Sequence, residues 1–225
     1  PANISGASIE NLLDVLKEPE DRTRYRARIE LGGREGDKVI AALEKWIAKL
    51  DKADPNYAHH MMEALWLHQS HNIINEQLLR RMLRSTDSNA RAAATRVLCY
   101  WRDRVNEPLY LLKPQAEDEN ALVRVEAVRA CSFFNTAEAA SVALLALKHP
   151  MDKYLTYVHG ETMKQLEPYW TAALAKGEML VKGSVGVVVL HAHEFDLQSI
   201  PRPMPSAYFH DMLHSLIGQA DEALY

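Results

Sequence analysis

Two pairs of histidines near the C-terminal end carry the most explicit chemistry in the chain. His191 and His193 stand two apart beside the apolar run Val187 to Leu190, so an extended segment would turn both imidazoles to one side. His210 and His214 stand four apart, which on a helix places them on one face. With Glu194, Asp196 and Asp211 close in sequence, three or four of these groups have the ligand chemistry for zinc, and a metal-bound water there would serve a hydrolase. No His-Glu-x-x-His accompanies them, and Pro201, Pro203 and Pro205 separate the pairs, so a site requires the chain to fold back. Surface or capping histidines are the competing reading.

A second group, His59, His60, His68 and His71, flanks the second repeat, with His60, His68 and His71 on one face if the helix there is extended, and reads more readily as contact residues than as ligands. Residues 80–104 hold Arg80, Arg81, Arg84, Arg91, Arg96, Arg102 and Arg104 against two acids, Asp87 and Asp103, beside Tyr100 and Trp101. Arginines with aromatic neighbours suit a phosphate backbone only if they share one face. Their spacing distributes them over different elements, and the chain as a whole carries a formal charge of −4, which argues against nucleic acid and for a solvated, partly paired surface or an acidic protein partner. Trp46, Trp66, Trp101 and Trp170 recur along the chain, and core indoles bonded to carbonyls are the expected reading for most of them. Trp170 is expected to be exposed, because Pro168 turns the chain just before it. Arg80, Arg84, Trp101, Arg102, Tyr169 and Trp170 are therefore the expected partner-contact residues.

No Ser-His-Asp arrangement or glycine-rich phosphate loop emerges. Cys99 and Cys131 are far apart, with no Cys-x-x-Cys and no Cys-x-x-Cys-His, so neither a zinc ribbon nor a covalent haem is made by these residues alone. No run of 18 apolar residues exists to span a bilayer. The sequence opens at Pro1 without an initiator methionine, as a processed product or a module of a longer chain would.

The elements that must carry these residues repeat. Arg24, Arg91 and Arg124 lie in similar segments, Thr23 to Ala27, Ala90 to Ala94 and Val123 to Ala127, at spacings of 67 and 33 residues, two periods and one. The apolar periodicity predicts five helix pairs between residues 8 and 170: Ile9 to Leu16 with Asp21 to Leu31, stopped by a left-handed glycine at Gly32-Gly33; Asp37 to Leu50 with Tyr57 to His68; Asn75 to Leu83 with Ala90 to Trp101, capped by Asp87; Pro108 to Ala116 with Leu122 to Phe134; and Thr136 to Leu147 with Tyr154 to Leu166. Thr171 to Ala175 is one more short helix. The reading is an all-α α-solenoid, a superhelix over residues 1–175, followed by residues 176–225 as an irregular linker, a short extended segment and a terminal capping helix.

Short second helices with an aspartate before them and an arginine inside resemble HEAT-type repeats. In that family Asp21 with Arg24, Asp87 with Arg91 and Asp118 with Arg124 correspond to an internal structural ladder. Longer stretches, Glu18 to Arg26, Glu63-Ala64-Leu65-Trp66, Ala92 to Leu98 and Gln165 to Trp170, resemble the HEAT-like module of large secreted bacterial proteins that join a sugar-dehydrogenase-like propeller, helical repeats and a c-type cytochrome domain. That resemblance implies a non-enzymatic scaffold, no cofactor in this chain, haem c in a neighbouring domain, a protein partner or domains of the same parent chain, and a periplasmic or extracellular location. The readings set against it are a helical-repeat DNA glycosylase using the arginine patch and a metal-dependent hydrolase using the C-terminal histidines.

Overall fold

The computed structural model describes residues 4–176, and the candidate zinc ligands His191, His193, His210 and His214 lie outside them. The described residues are helical throughout their regular structure: α1 Ile9–Val15, α2 Asp21–Gly32, α3 Gly36–Ala48, α4 Tyr57–Ser70, α5 Glu76–Met82, α6 Ser88–Trp101, α7 Pro108–Ala116, α8 Ala121–Cys131, α9 Ala137–Leu144 continued by a 3-10 turn Leu145–Lys148, α10 Lys153–Gln165 and α11 Glu167–Ala175. They form two compact units, one ending at Asn106 and the other beginning at Glu107. In the first unit α1, α3 and α5 pair with α2, α4 and α6, and the second helices α2, α4 and α6 also pack in sequence on one another. The second unit repeats the plan with α7 on α8, α9 on α10, and α8 on α10. Within each unit this stacking of helix pairs, one burying its stripe on the next, is the α-solenoid mode of construction.

Helix starts follow from side-chain caps. Ser8, Asn75, Asp87, Asn120, Thr136 and Asp152 each accept a hydrogen bond from a backbone N–H of the turn they open. Helix stops are less uniform. Gly33, expected as a left-handed stop, has φ −85 and closes α2 with right-handed geometry, its N–H bonded to the Ile29 and Glu30 carbonyls, because the chain runs almost directly into α3. The left-handed stop sits instead at Asn72, φ 58, where Asn72 N–H reaches Gln69 O and Ile73 N–H reaches His68 O, the paired bonds of a Schellman close.

The repeated arginines share one geometry. Each is the fourth residue of its second helix, and one terminal nitrogen donates to the carbonyls six and five residues earlier. Arg24 reaches Glu18 and Pro19 at 2.7 Å each. Arg91 reaches Ser85 at 2.8 Å and Thr86 at 3.2 Å. Arg124 reaches Asp118 at 2.7 Å and Glu119 at 2.8 Å. The sequence reading pairs these arginines with aspartates, but the contact common to all three is the turn's backbone. Asp21 does accept from Arg24 at 3.1 Å, whereas Asp87 caps α6 through Asn89 N–H and Asp118 accepts from Asn120 N–H. A turn between helices leaves carbonyls without intrahelical partners, and a planar guanidinium satisfies two at once.

Arg124 is 2% exposed and also donates to Pro150 O at 2.6 Å, so it holds the turn before α8 and the turn before α10 together. Replacing it with Met strands three carbonyls. We expect Arg124→Met to lower unfolding free energy by about 3 kcal/mol, with Arg124→Lys recovering only part of the loss because an ammonium lacks the flat fork. Urea titration of the three proteins checks this, and equal midpoints for Arg124→Met and the parent would contradict it.

Candidate functional site

Aligning the second helices on the clamp position exposes an anomaly three residues further on. The series there is Ala27, Glu63, Ala94, Ala127 and His159, all essentially buried. Alanine lets neighbouring second helices approach closely; Glu63, at 0% exposure, puts a carboxylate into that seam. Its Oε1 accepts from Arg28 Nη1 at 2.7 Å, lies 3.5 Å from Arg24 Nε and is 3.2 Å from His59 Nε2. Arg28 also lies over the Trp66 ring at 5.6 Å, and His59 meets the same ring edge to face. Two arginines of α2 are thereby drawn onto α4. The Oε2 atom of Glu63 is buried without a hydrogen-bond partner among the described residues.

The same arginines bind Asp21. Arg28 donates to its Oδ1 at 3.2 Å, and that hydrogen bond, followed by the charges of Arg28 and Arg24, holds the Asp21 carboxyl below the usual carboxylate range. At the other end of α2, Glu30 pairs with Arg34 at 2.6 Å. Both acids of α2 are therefore engaged from within. Arg22 and Arg26 remain, exposed and with no ion pair or hydrogen bond to any described residue, on the stripe that also carries Tyr25 and Ile29, 56% and 58% exposed.

Other exposed large apolar residues also favour the second helices: Tyr100 on α6, Leu122 on α8, Tyr154 and Tyr157 on α10, with Phe133 just past α8 and Tyr110 on the first helix α7. Single exposed apolar side chains are ordinary, but their concentration on one class of helix is not.

The residues expected to contact a partner divide. Trp101 and Trp170 are core residues, 1% and 3% exposed, and Trp170 donates its indole N–H to Met163 O at 2.9 Å. Pro168 does not turn the chain away before Trp170; it sits in the first turn of α11, where its missing N–H costs no helical bond. Tyr169 is half-buried and Arg84 exposed. Arg80 is held by Glu76 at 2.7 Å and by Asn106 O at 3.2 Å, and the hydrogen bond from Arg80 lowers the Glu76 pKa. Arg102 donates to Cys99 O, Arg104 to Asn72 and Arg81 to Tyr57. Within the patch Arg80 has Glu76 and Arg102 has Asp103 as acid partners, while Arg81 and Arg104 donate to neutral oxygens and, like Arg84 and Arg96, stay exposed. Among the described residues, no cluster of three or more His, Cys, Asp or Glu is placed to hold a metal ion, and no helix is long and apolar enough to cross a membrane.

The histidines of α4 act structurally. His60 takes the clamp position of the second pair, 4% exposed, with Nδ1 3.7 Å from the Asp54 carboxylate. His68 is 2% exposed; its Nδ1 donates to Ile73 O at 3.1 Å and its Nε2 faces the Asn75 amide nitrogen at 3.2 Å. Asn75 Oδ1 is committed to capping α5, so its NH2 must point at His68, and Nε2 has to stay an acceptor. Burial pushes the pKa of both His60 and His68 below the ordinary value of 6.5; Asp54 opposes this at His60, and Ile73 O and Glu44 oppose it at His68.

Residues 75–160 match the family model for HEAT repeats, and that part of the chain is a HEAT-like repeat module. Comparison with curated proteins gives no match.

Below about pH 6.5 the unfolded chain takes up protons that His60 and His68 refuse in the fold, so stability is whole above that pH and declines as pH falls. Urea midpoints measured from about pH 7 to pH 5 should fall, and His68→Gln, which keeps both hydrogen bonds without a titrating group, should flatten the decline. Glu63→Ala takes the buried carboxylate from Arg24 and Arg28, leaving them Asp21 and the turn carbonyls, and should cost about 3 kcal/mol, whereas Glu63→Ala combined with Arg28→Met should recover a large part. Strict additivity of the two changes would show that the charges do not interact.

Proposed function

We propose that this chain is a non-enzymatic scaffold that holds a protein partner, or neighbouring domains of its own parent chain, against the exposed surfaces of its second helices. The observation that carries the reading is the placement of Tyr25, Ile29, Tyr100, Leu122, Tyr154 and Tyr157 on α2, α6, α8 and α10, outside the packed seams. Tyrosine offers a large contact area at low conformational cost, which suits it to binding surfaces. The HEAT-repeat match supports an interaction module. The finer setting rests on the sequence resemblance: a larger exported redox protein, in the periplasm or outside the cell, with propeller and cytochrome domains around this module and haem c in one of them.

Peptide mapping of the native protein from its source tests the setting. Propeller peptides or a haem-bearing Cys-x-x-Cys-His peptide in the same chain are the expected result; a native chain whose peptides all fall within this sequence would overturn the redox parent. A photo-crosslinking residue in place of Tyr157 should capture the partner or the adjoining domain in the native assembly, and the same residue in place of Tyr110, on a first helix, should not.

A further inference from the structure

We propose that the outward face of α2, formed by Arg22, Tyr25, Arg26 and Ile29, is a docking surface for an acidic, apolar segment of a protein partner. The proposal rests on the reading of the chain as an interaction module and names the chemistry of what one of its surfaces takes.

Helix α2 is built with two apolar sides. Ala27 and Leu31 face the core at 0% exposure, while Tyr25 and Ile29, one helical turn apart, face solvent. Arg22, Tyr25, Arg26 and Ile29 stand at i, i+3, i+4 and i+7, the spacing by which a helix presents one continuous stripe. Arg22 and Arg26 are themselves an i, i+4 pair of like charges, an arrangement that repels until an anion sits between the guanidiniums.

The acids that would relieve this repulsion are occupied elsewhere. Asp21 is bound by Arg24 and Arg28, and Glu30 by Arg34. Helix periodicity turns residues two apart to opposite sides, and Glu63 holds Arg24 and Arg28 on the α4 side. What remains outward is a pair of uncompensated guanidiniums beside a tyrosine and an isoleucine. Its complement is a carboxylate-bearing segment with apolar side chains a turn away: guanidiniums bind carboxylates through paired N–H donors, and Tyr25 and Ile29 supply the apolar floor.

The test uses the full chain and a fluorescein-labelled helical peptide of about 15 residues carrying glutamates at i and i+4 beside leucines at i+3 and i+7, with a lysine-for-glutamate version as control. Fluorescence anisotropy should show the glutamate peptide binding the parent protein, more weakly as salt rises. Affinity should fall tenfold or more in the double variant Arg22→Glu with Arg26→Glu, which should bind the lysine peptide instead. A second double variant, Tyr25→Ser with Ile29→Ser, should lose affinity for the glutamate peptide. All four side chains are exposed, so melting temperatures should stay close to the parent's, and the serine variant supplies the answer if the glutamate variant does not fold. No binding by the parent, or unchanged affinity in both variants, would overturn the proposal. So would tighter binding of an oligothymidine of similar length, lost in the glutamate variant, which would assign the face to nucleic acid. A peptide map without redox domains would overturn the proposed setting and leave these affinities where they are.

Discussion

Everything in this fold depends on keeping the turn between two helices of a pair in a fixed relation to the second helix, and an arginine side chain does this from inside the repeat. The carbonyls it binds belong to residues just past the first helix, where the backbone has left one hydrogen-bonding ladder and not yet entered the next. Without a partner they would be acceptors stranded beside a packed seam. A guanidinium at the fourth position of the following helix reaches back over its own N-terminus and closes that gap, and it places positive charge near the carbonyl-rich end of the first helix. The device appears in both compact units, with the same six- and five-residue reach.

Where the arginine is missing, other groups carry the turn. In the second pair His60 occupies the position, and the turn is organised by aspartates: Asp51 accepts from Ala53 N–H at 2.9 Å and Asp54 from Asn56 N–H at 2.7 Å. In the fifth pair the position is Thr156, Asp152 caps two N–H groups at 2.8 Å each, and the Pro150 carbonyl is taken by Arg124 of the preceding pair. The carbonyl requirement is constant while its supplier varies. This is why the second pair looks degenerate in sequence yet stacks as the others do.

The periodicity, the cap residues and the helix pairs were legible because each depends on local spacing. Asp87 precedes α6 as a cap should, and the apolar stripes delimit most helices to within a few residues. The Asp21–Arg24 pair was legible, but the carbonyls that all three clamp arginines share were not, since every residue carries a carbonyl. Trp101 and Trp170 were misjudged for a related reason: proximity to arginines or proline says little about which side of a helix faces the seam. Glu63 was missed altogether, because in Glu-Ala-Leu-Trp it reads as one more surface acid. The signal was available in the repeat register, where the position three after the clamp is alanine in the first, third and fourth pairs, and a glutamate there must be buried against something positive.

Glu63 also explains a feature of α2 that propensity alone would not give. A helix with four arginines in seven residues, Arg22, Arg24, Arg26 and Arg28, would ordinarily spread its charge into solvent. A buried carboxylate on the neighbouring helix binds two of these arginines: the two facing α4 become part of the seam, where their removal would leave an isolated buried charge. The other two are left on the opposite side, along with the apolar residues interleaved between them. A glutamate at a close-packing position thus makes a charged lock between α2 and α4, while helix periodicity leaves a basic, partly apolar face on the far side of α2.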